Sequence, residues 1–241
     1  MGPGQIQNPS KVTIDVVSLN GRTYAGKDTQ AKIWVNTDAE AVRLSPGQIL
    51  RDVVDGKNGY RQYFNFEPKK LRADLNAARL VDGDILANGL AQIMVDEVAR
   101  GKRRIIIAGW PREEESLTVF QDLVARLRAE GPMVRTHFVY LRASEEESRD
   151  RFEKELRRKV EARGRRELRE DDTPEGFHLR TETFNTQTEP FLRKHRQELG
   201  LITVDSAPTK RQTQVRLLRA LRDHGCTTPE GAPTLPAQAR R

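Results

Sequence analysis

Cysteine is nearly absent from this chain. Cys226 is the only one in 241 residues, so no internal disulfide can form, and no Cys/His group has the spacing of a zinc site. That thiol usage fits a reducing, cytosol-like compartment. Long apolar runs are missing too: no stretch approaches the roughly eighteen consecutive apolar residues that span a bilayer, and no signal peptide is visible. Neither membrane insertion nor secretion is expected. The chain also lacks internal repeats and basic motifs interleaved with aromatics. Hydrophobic residues make up only 36% while charged residues reach 32%, so the apolar side chains must be concentrated where a core needs them. They are: short apolar runs alternate with long, charged, helix-forming stretches, which puts the core on strands and the charge on helix surfaces. A formal charge of +7 suits an anionic partner, a nucleotide or nucleic acid. Most of the basic residues read as solvated helix faces.

The length suits one generous domain. Residues 1–11, rich in Gly, Pro, Asn and Gln, read as a flexible arm. Strands are predicted at 12–19 (interrupted by Asp15), 41–44, 104–108, 136–141 and 201–204. Helical patterns fall near 27–38, 46–54, 67–78, 84–100, 113–129, 144–163, 173–198 and 208–223. That alternation predicts right-handed βαβ units and a parallel sheet with helices on both faces. A core over 12–224 would leave 225–241, small and polar with several Pro and Gly, as a disordered tail.

Residues 21–30 read GRTYAGKDTQ, directly after the first strand. A glycine, four residues and Gly26-Lys27 between a strand and a helix form the layout of a phosphate-binding loop. Backbone N–H groups of Gly21, Arg22, Thr23, Tyr24, Ala25 and Gly26 can surround phosphate oxygens, the helix N-terminus adds its positive dipole, and Lys27 reaches the terminal phosphates. Asp28 intervenes where the strict pattern has Ser or Thr, and Thr29 comes one place later.

GKDTQ resembles the GKGTQ of adenylate kinases and their relatives, the uridylate/cytidylate kinases. Further matches follow in order. LSPGQILR at 44–51 resembles the acceptor segment S-T/A-G-D/E-x-L-R; GWPR at 109–112 resembles the G-F-P-R turn after the third strand. REDDTPEGFHLRTETFNTQTEP at 169–190 resembles the stretch from the lid's paired aspartates to a T-x-P ending. The chain is thereby identified as a nucleoside monophosphate kinase of the adenylate kinase type with a short lid. The resemblance implies a P-loop NTPase fold, an α/β three-layer αβα architecture whose five-stranded parallel sheet has the order 2-3-1-4-5. It also implies a small helical acceptor insert at about 45–83 and a lid at about 160–172.

The resemblance assigns roles residue by residue. Lys27, Arg112, Arg169 and Arg180 would be catalytic, stabilising charge spread over the transferring phosphoryl group. The ATP site would comprise residues Gly21 to Thr29 of the loop together with Arg151. The acceptor monophosphate would be held by Ser45, Pro46, Arg51, Val81, Gly109, Arg112 and Ser116. Asp171 and Asp172 would organise lid arginines by ion pairing. The cofactor would be Mg²⁺, arriving with ATP and without a direct protein ligand, with Thr29 or Asp28 acting through water. AMP is the expected acceptor, with CMP or UMP the alternative. A cytoplasmic monomer without membrane contact is expected, and nucleic-acid binding by 149–169 or 209–222 ranks last because acids are intermixed with the base.

Several positions depart from the family pattern. The third strand normally ends in the Asp that holds the magnesium's water shell, and here Ala108 stands there. That substitution supports a reading of another class, a nucleotide-binding protein with weakened catalysis. Pro46 replaces the Thr or Ala of the acceptor motif. Ser116 falls where Gln or Asn reads the base. Tyr24 replaces a loop glycine and asks for a different backbone conformation there. Tyr60, Tyr63, Phe64 and Phe66 could stack on a base, although packing of the acceptor insert accounts for them better.

Overall fold

A computed structural model describes residues 12–57, 59–77, 83–129, 131–163, 172–206 and 209–229. The elements run β1 (Thr13–Asn20), α1 (Lys27–Thr37), β2 (Ala41–Leu44), α2 (Pro46–Val54), a 3₁₀ turn (Gly59–Tyr63), α3 (Pro68–Asn76), α4 (Gly83–Ala99) and β3 (Arg104–Ala108). There follow α5 (Glu114–Ala129), β4 (Met133–Arg142), α6 (Glu145–Arg163), α7 (Pro174–Thr183), a π-helical segment (Phe184–Thr188), α8 (Glu189–Lys194), β5 (Ile202–Asp205) and α9 (Lys210–Asp223). The strands form one parallel sheet in the order β2-β3-β1-β4-β5, as the family resemblance implies.

Strand alternation builds two cores from one sheet. Ile14, Val16, Ile105, Ile107, Val134 and Phe138 face α4, α5, α8 and the acceptor-side helices. Val17, Leu19, Ile106, Val139 and Leu141 point the other way, onto Trp34 of α1 and Leu217, Leu218 and Leu221 of α9. Both faces of β1 are therefore dry, which is why its apolar run is nearly continuous.

The interruption in that run has a partner set. Asp15, 1% exposed, accepts a bidentate pair from Arg135 (2.8 and 2.7 Å), meets Nε2 of His137 at 2.9 Å and accepts the Thr227 N–H at 3.1 Å. Burial pushes its carboxyl pKa up, but the hydrogen bonds from His137, Arg135 and Thr227 outweigh that and bring it down to about 2. Cys226 lies within 4.8 Å of Asp15 and His137, a trio with metal-ligand chemistry. The carboxylate is already engaged by these donors, and burial pushes the Cys226 thiol up and keeps it neutral, so what locks this corner is the Asp15–Arg135 ion pair. Packed structure consequently runs beyond residue 224, where the sequence reading ended the core: Cys226 is buried and Thr227 bonds to Asp15 and Arg135.

Residues 1–11, 164–171 and 230–241, which hold the expected arm, most of the lid and most of the tail, lie outside the described residues. The acceptor-side aromatics pack rather than line a cleft. Phe64 is 4% exposed, stacks on Phe66 at 5.8 Å and lies on Gly89 of α4 so closely that no side chain fits there. Tyr63 donates to Asp96 of α4.

Candidate active site

The loop after β1 must turn sharply toward α1, and glycine makes that turn. Gly21 has φ +145, and a Cβ there would come within 2.5 Å of the Leu141 carbonyl oxygen of β4. Gly26, at φ +103, hands the chain to α1. Tyr24 does not change the backbone as the sequence reading required. It takes the left-handed conformation itself, at φ 56, at a cost of about 1 kcal/mol for a non-glycine residue. Its ring offsets that cost, packing edge-on against Phe152 of α6 (5.4 Å) and near Phe177 of α7 (6.2 Å), with its hydroxyl 3.4 Å from Asp172.

Lys27 opens α1, and its ammonium donates to the carbonyls of Gly21 and Arg22, both at 2.6 Å. Removal from water lowers its pKa to about 7; the positive charges of Arg112 and Arg180 add to the fall, and Asp28 works against it. A lysine held this way has a large electrostatic demand for phosphate. Behind the loop Arg151 of α6 donates to Ser206 Oγ (2.7 Å) and reaches the Tyr24 carbonyl at 3.4 Å, while Ser206 donates to the Ala25 carbonyl at 2.8 Å. A capping box aims that helix: Glu147 N–H donates to Ser144 Oγ (3.0 Å) and Ser144 N–H to Glu147 Oε2 (2.7 Å).

On the acceptor side, Arg51 in α2 donates to the Gly47 carbonyl at 2.9 Å. Arg112 folds back onto the Gly109 carbonyl, and Gly109 at φ +80 leaves room for it, since a Cβ would stand 2.7 Å from its guanidinium. Burial lowers the pKa of Arg112, opposed by Asp28 and assisted by Arg51. Lys27, Asp28, Thr29, Arg51, Arg112 and Arg180 line one cleft of about 1010 Å³ at the C-terminal ends of β1 and β3, where ligands enter open α/β sheets. Thr23, Tyr24, Ala25, Gly26, Gly21, Ser45, Gly109 and Arg151 line it as well.

Three expected residues take other places. Arg22 turns away from the cleft, pairs with Glu189 at 3.2 Å, bonds Asn185 and lies 5.1 Å over the Phe184 ring. Pro46 is buried at the first turn of α2, where its fixed φ starts the helix. Ser116 is 2% exposed; its hydroxyl accepts from the N–H groups of Arg112 (3.0 Å) and Glu113 (3.1 Å) and donates to the Glu113 carbonyl (2.9 Å). A hydroxyl so engaged cannot also read a base, so that expectation is corrected: Ser116 holds the Arg112 turn. Val81, Arg169 and Asp171 lie outside the described residues. Asp172 is buried and pairs with Lys159 of α6 at 2.6 Å. Lys154, Arg158, Lys159 and Lys210, read from the sequence only within the basic stretches 149–169 and 209–222, also line the cleft wall, where Arg158 pairs with Glu155 and Lys159 with Asp172. Their only signal was their place on helices adjoining the loop.

No family profile matches the chain. Curated relatives do. An adenylate kinase of a Sulfurovum species is 28% identical over 188 residues, spanning 76% of this chain and 85% of the relative. That of Stenotrophomonas maltophilia is 25% identical over 205 residues, 85% of this chain and 97% of its own. That of Methylobacterium radiotolerans is 29% identical over 209 residues, 86% and 96% respectively.

Proposed function

Because the chain belongs to the adenylate kinase family, we propose that this nucleoside monophosphate kinase moves the γ-phosphoryl group of ATP to AMP. The observation that carries the reading is the convergence of Lys27, Arg51, Arg112 and Arg180 on one cleft beside a glycine-framed loop. Phosphoryl transfer requires positioning and electrostatic stabilisation more than covalent chemistry, and four cations around one volume supply both. In this reading the loop amides and Lys27 hold the donor phosphates, with Arg151 bracing the loop. Arg51 and Arg112 clamp the acceptor phosphate from two sides. Arg180, with Arg169, neutralises the charge developing between the two nucleotides.

Mg²⁺ accompanies ATP in this reading. The donor set fits a hydrated hard cation, because Asp28 presents an exposed carboxylate to the cleft and Thr29 a hydroxyl from the first turn of α1. The chemistry the cation would supply is neutralisation of β and γ phosphate oxygens. The acceptor insert at about 45–83 and the lid at about 160–172 belong to the same proposal, as do a monomeric state and a cytoplasmic site of action. Among the described residues no helix is long and apolar enough to cross a membrane.

A second reading rests on Ala108, which lines the cleft with no side-chain oxygen to offer. It makes the protein a nucleotide binder with weakened catalysis. One experiment decides: AMP, GMP, CMP, UMP and dTMP are each supplied with ATP and Mg²⁺ to the natural chain and to Ala108→Asp. Fastest turnover with AMP is expected. Preference for CMP or UMP would transfer the assignment to pyrimidine monophosphates. Negligible diphosphate formation despite tight ATP binding, with a gain of orders of magnitude in Ala108→Asp, would favour the weakened binder.

A further inference from the structure

A carboxylate in the first turn of α1 is out of place beside a phosphate site. Asp28 follows Lys27 directly and lines the same cleft, so it repels the phosphates that Lys27 and the helix dipole attract. An acid at this position ordinarily stabilises a helix N-terminus, and a solvated first turn would account for it there. Here the first turn is the floor of the anion site, and the acid weakens that site unless something positive lies between it and the phosphates.

Two further observations bear on Asp28. Arg43 of β2 reaches across and holds one carboxylate oxygen at 2.9 Å, which fixes the side chain; 54% of that side chain remains exposed, and Asp28 lines the cleft. Ala108, at the tip of β3, has only a methyl group where it lines the same cleft. β2 and β3 are neighbours, with Arg43 opposite Ile106, two residues before Ala108, while Asp28 and Ala108 both line the cleft.

We infer that Asp28 holds the water shell of the divalent cation that travels with the nucleotide, with Arg43 as the positioning residue that aims it. This rests on the kinase reading above. The carboxylate has moved from the tip of β3 to the second residue of α1, and the cation turns its repulsion of phosphate into attraction. Arg43 occupies one oxygen and leaves the other for water, an arrangement typical of outer-shell metal support.

The test uses the full chain with a non-hydrolysable ATP analogue. Mn²⁺ is titrated into the complex, with free Mn²⁺ read by electron paramagnetic resonance, and analogue affinity is measured by calorimetry with and without Mg²⁺. Asp28→Asn is expected to weaken Mn²⁺ binding to the complex about 10- to 100-fold. Without metal it should bind the analogue as well as or better than the natural chain, since a repulsive charge has gone. Arg43→Ala should weaken Mn²⁺ by a smaller factor and Arg43→Lys restore part of it; Asp28→Asn with Ala108→Asp should recover the binding. Unchanged Mn²⁺ affinity in Asp28→Asn, with analogue still bound, overturns the inference and leaves the kinase reading standing. No analogue binding by the natural chain, with or without metal, overturns both.

Discussion

At the N-terminal edge of the sheet the two buried aspartates, Asp15 and Asp38, are each paired with an arginine. Asp15 meets Arg135, His137 and Thr227, while Arg104 lies between Asp38 (2.6 Å) and Glu40 (2.9 Å), with the Trp34 indole donating to Asp38 at 3.0 Å. Around the cleft at the C-terminal ends of β1 and β3, cations crowd one another. Lys27 faces Arg112 and Arg180, and Arg112 faces Arg51, with Asp28 the carboxylate working against the shifts of both. One edge uses ion pairs to close the structure; the other stores like-charge repulsion that an anionic ligand relieves. Stability and binding therefore draw on the same residue types, placed at opposite ends of β1.

Removing Lys27 should separate the two edges most sharply. Lys27→Met is expected to slow phosphoryl transfer by about a thousandfold or more, about 4 kcal/mol in barrier, in a steady-state assay. Its melting temperature should stay level or rise, because a desolvated cation between arginines has been removed. A drop of several degrees would place Lys27 among the stabilising pairs and break the contrast.

Asp15→Asn should do the reverse. It leaves Arg135 and His137 without their carboxylate, and a loss of about 2–4 kcal/mol in denaturant unfolding is expected, with turnover per folded molecule unchanged. The sign follows from the lowered carboxyl: its stabilisation is present above the unfolded value of 3.8 and is lost as pH falls toward about 2. The gap between variant and natural chain should therefore close in acid. A gap independent of pH would deny the lock its ionic origin.

The smallest effect is a proton count. Free Lys27, with its pKa near 7, is mostly neutral at pH 8, and phosphates restore its charge, so nucleotide binding should draw in up to one proton and weaken as pH rises above 7. Calorimetry in buffers of differing ionisation enthalpy measures it. No uptake at pH 8 would mean that Lys27 is charged before the ligand arrives.

Most of this was legible in the sequence where local pattern determines the outcome. The five strands, the loop and the arginines of LSPGQILR and GWPR stand where periodicity and motif order put them. The start of β4 was missed, since Met133 and Arg135 do not read as strand; Arg135 belongs there because it pairs with an aspartate 120 positions away. The helix expected over 173–198 is broken by the π-helical turn at Phe184–Thr188, which brings the Phe184 ring beneath Arg22 and beside Tyr140 at 6.3 Å. Nothing in residue periodicity announces such a turn, because it answers to contacts made by remote strands. Ser116 was misjudged for a related reason: motif position says where a residue stands, while the hydrogen bonds of its own turn decide which way it points.

The central position of β1 has a consequence for how the protein comes into being. It is made first among the strands, yet its two neighbours in the sheet, β3 and β4, emerge from the ribosome about 90 and 120 residues later. At roughly 5–20 residues per second that strand waits several seconds with two apolar faces and two open edges. Asp15 breaks the run during that interval, a charge of the kind that disfavours self-association of apolar strands. It becomes compatible with burial only when Arg135, His137 and finally Thr227 have been synthesised.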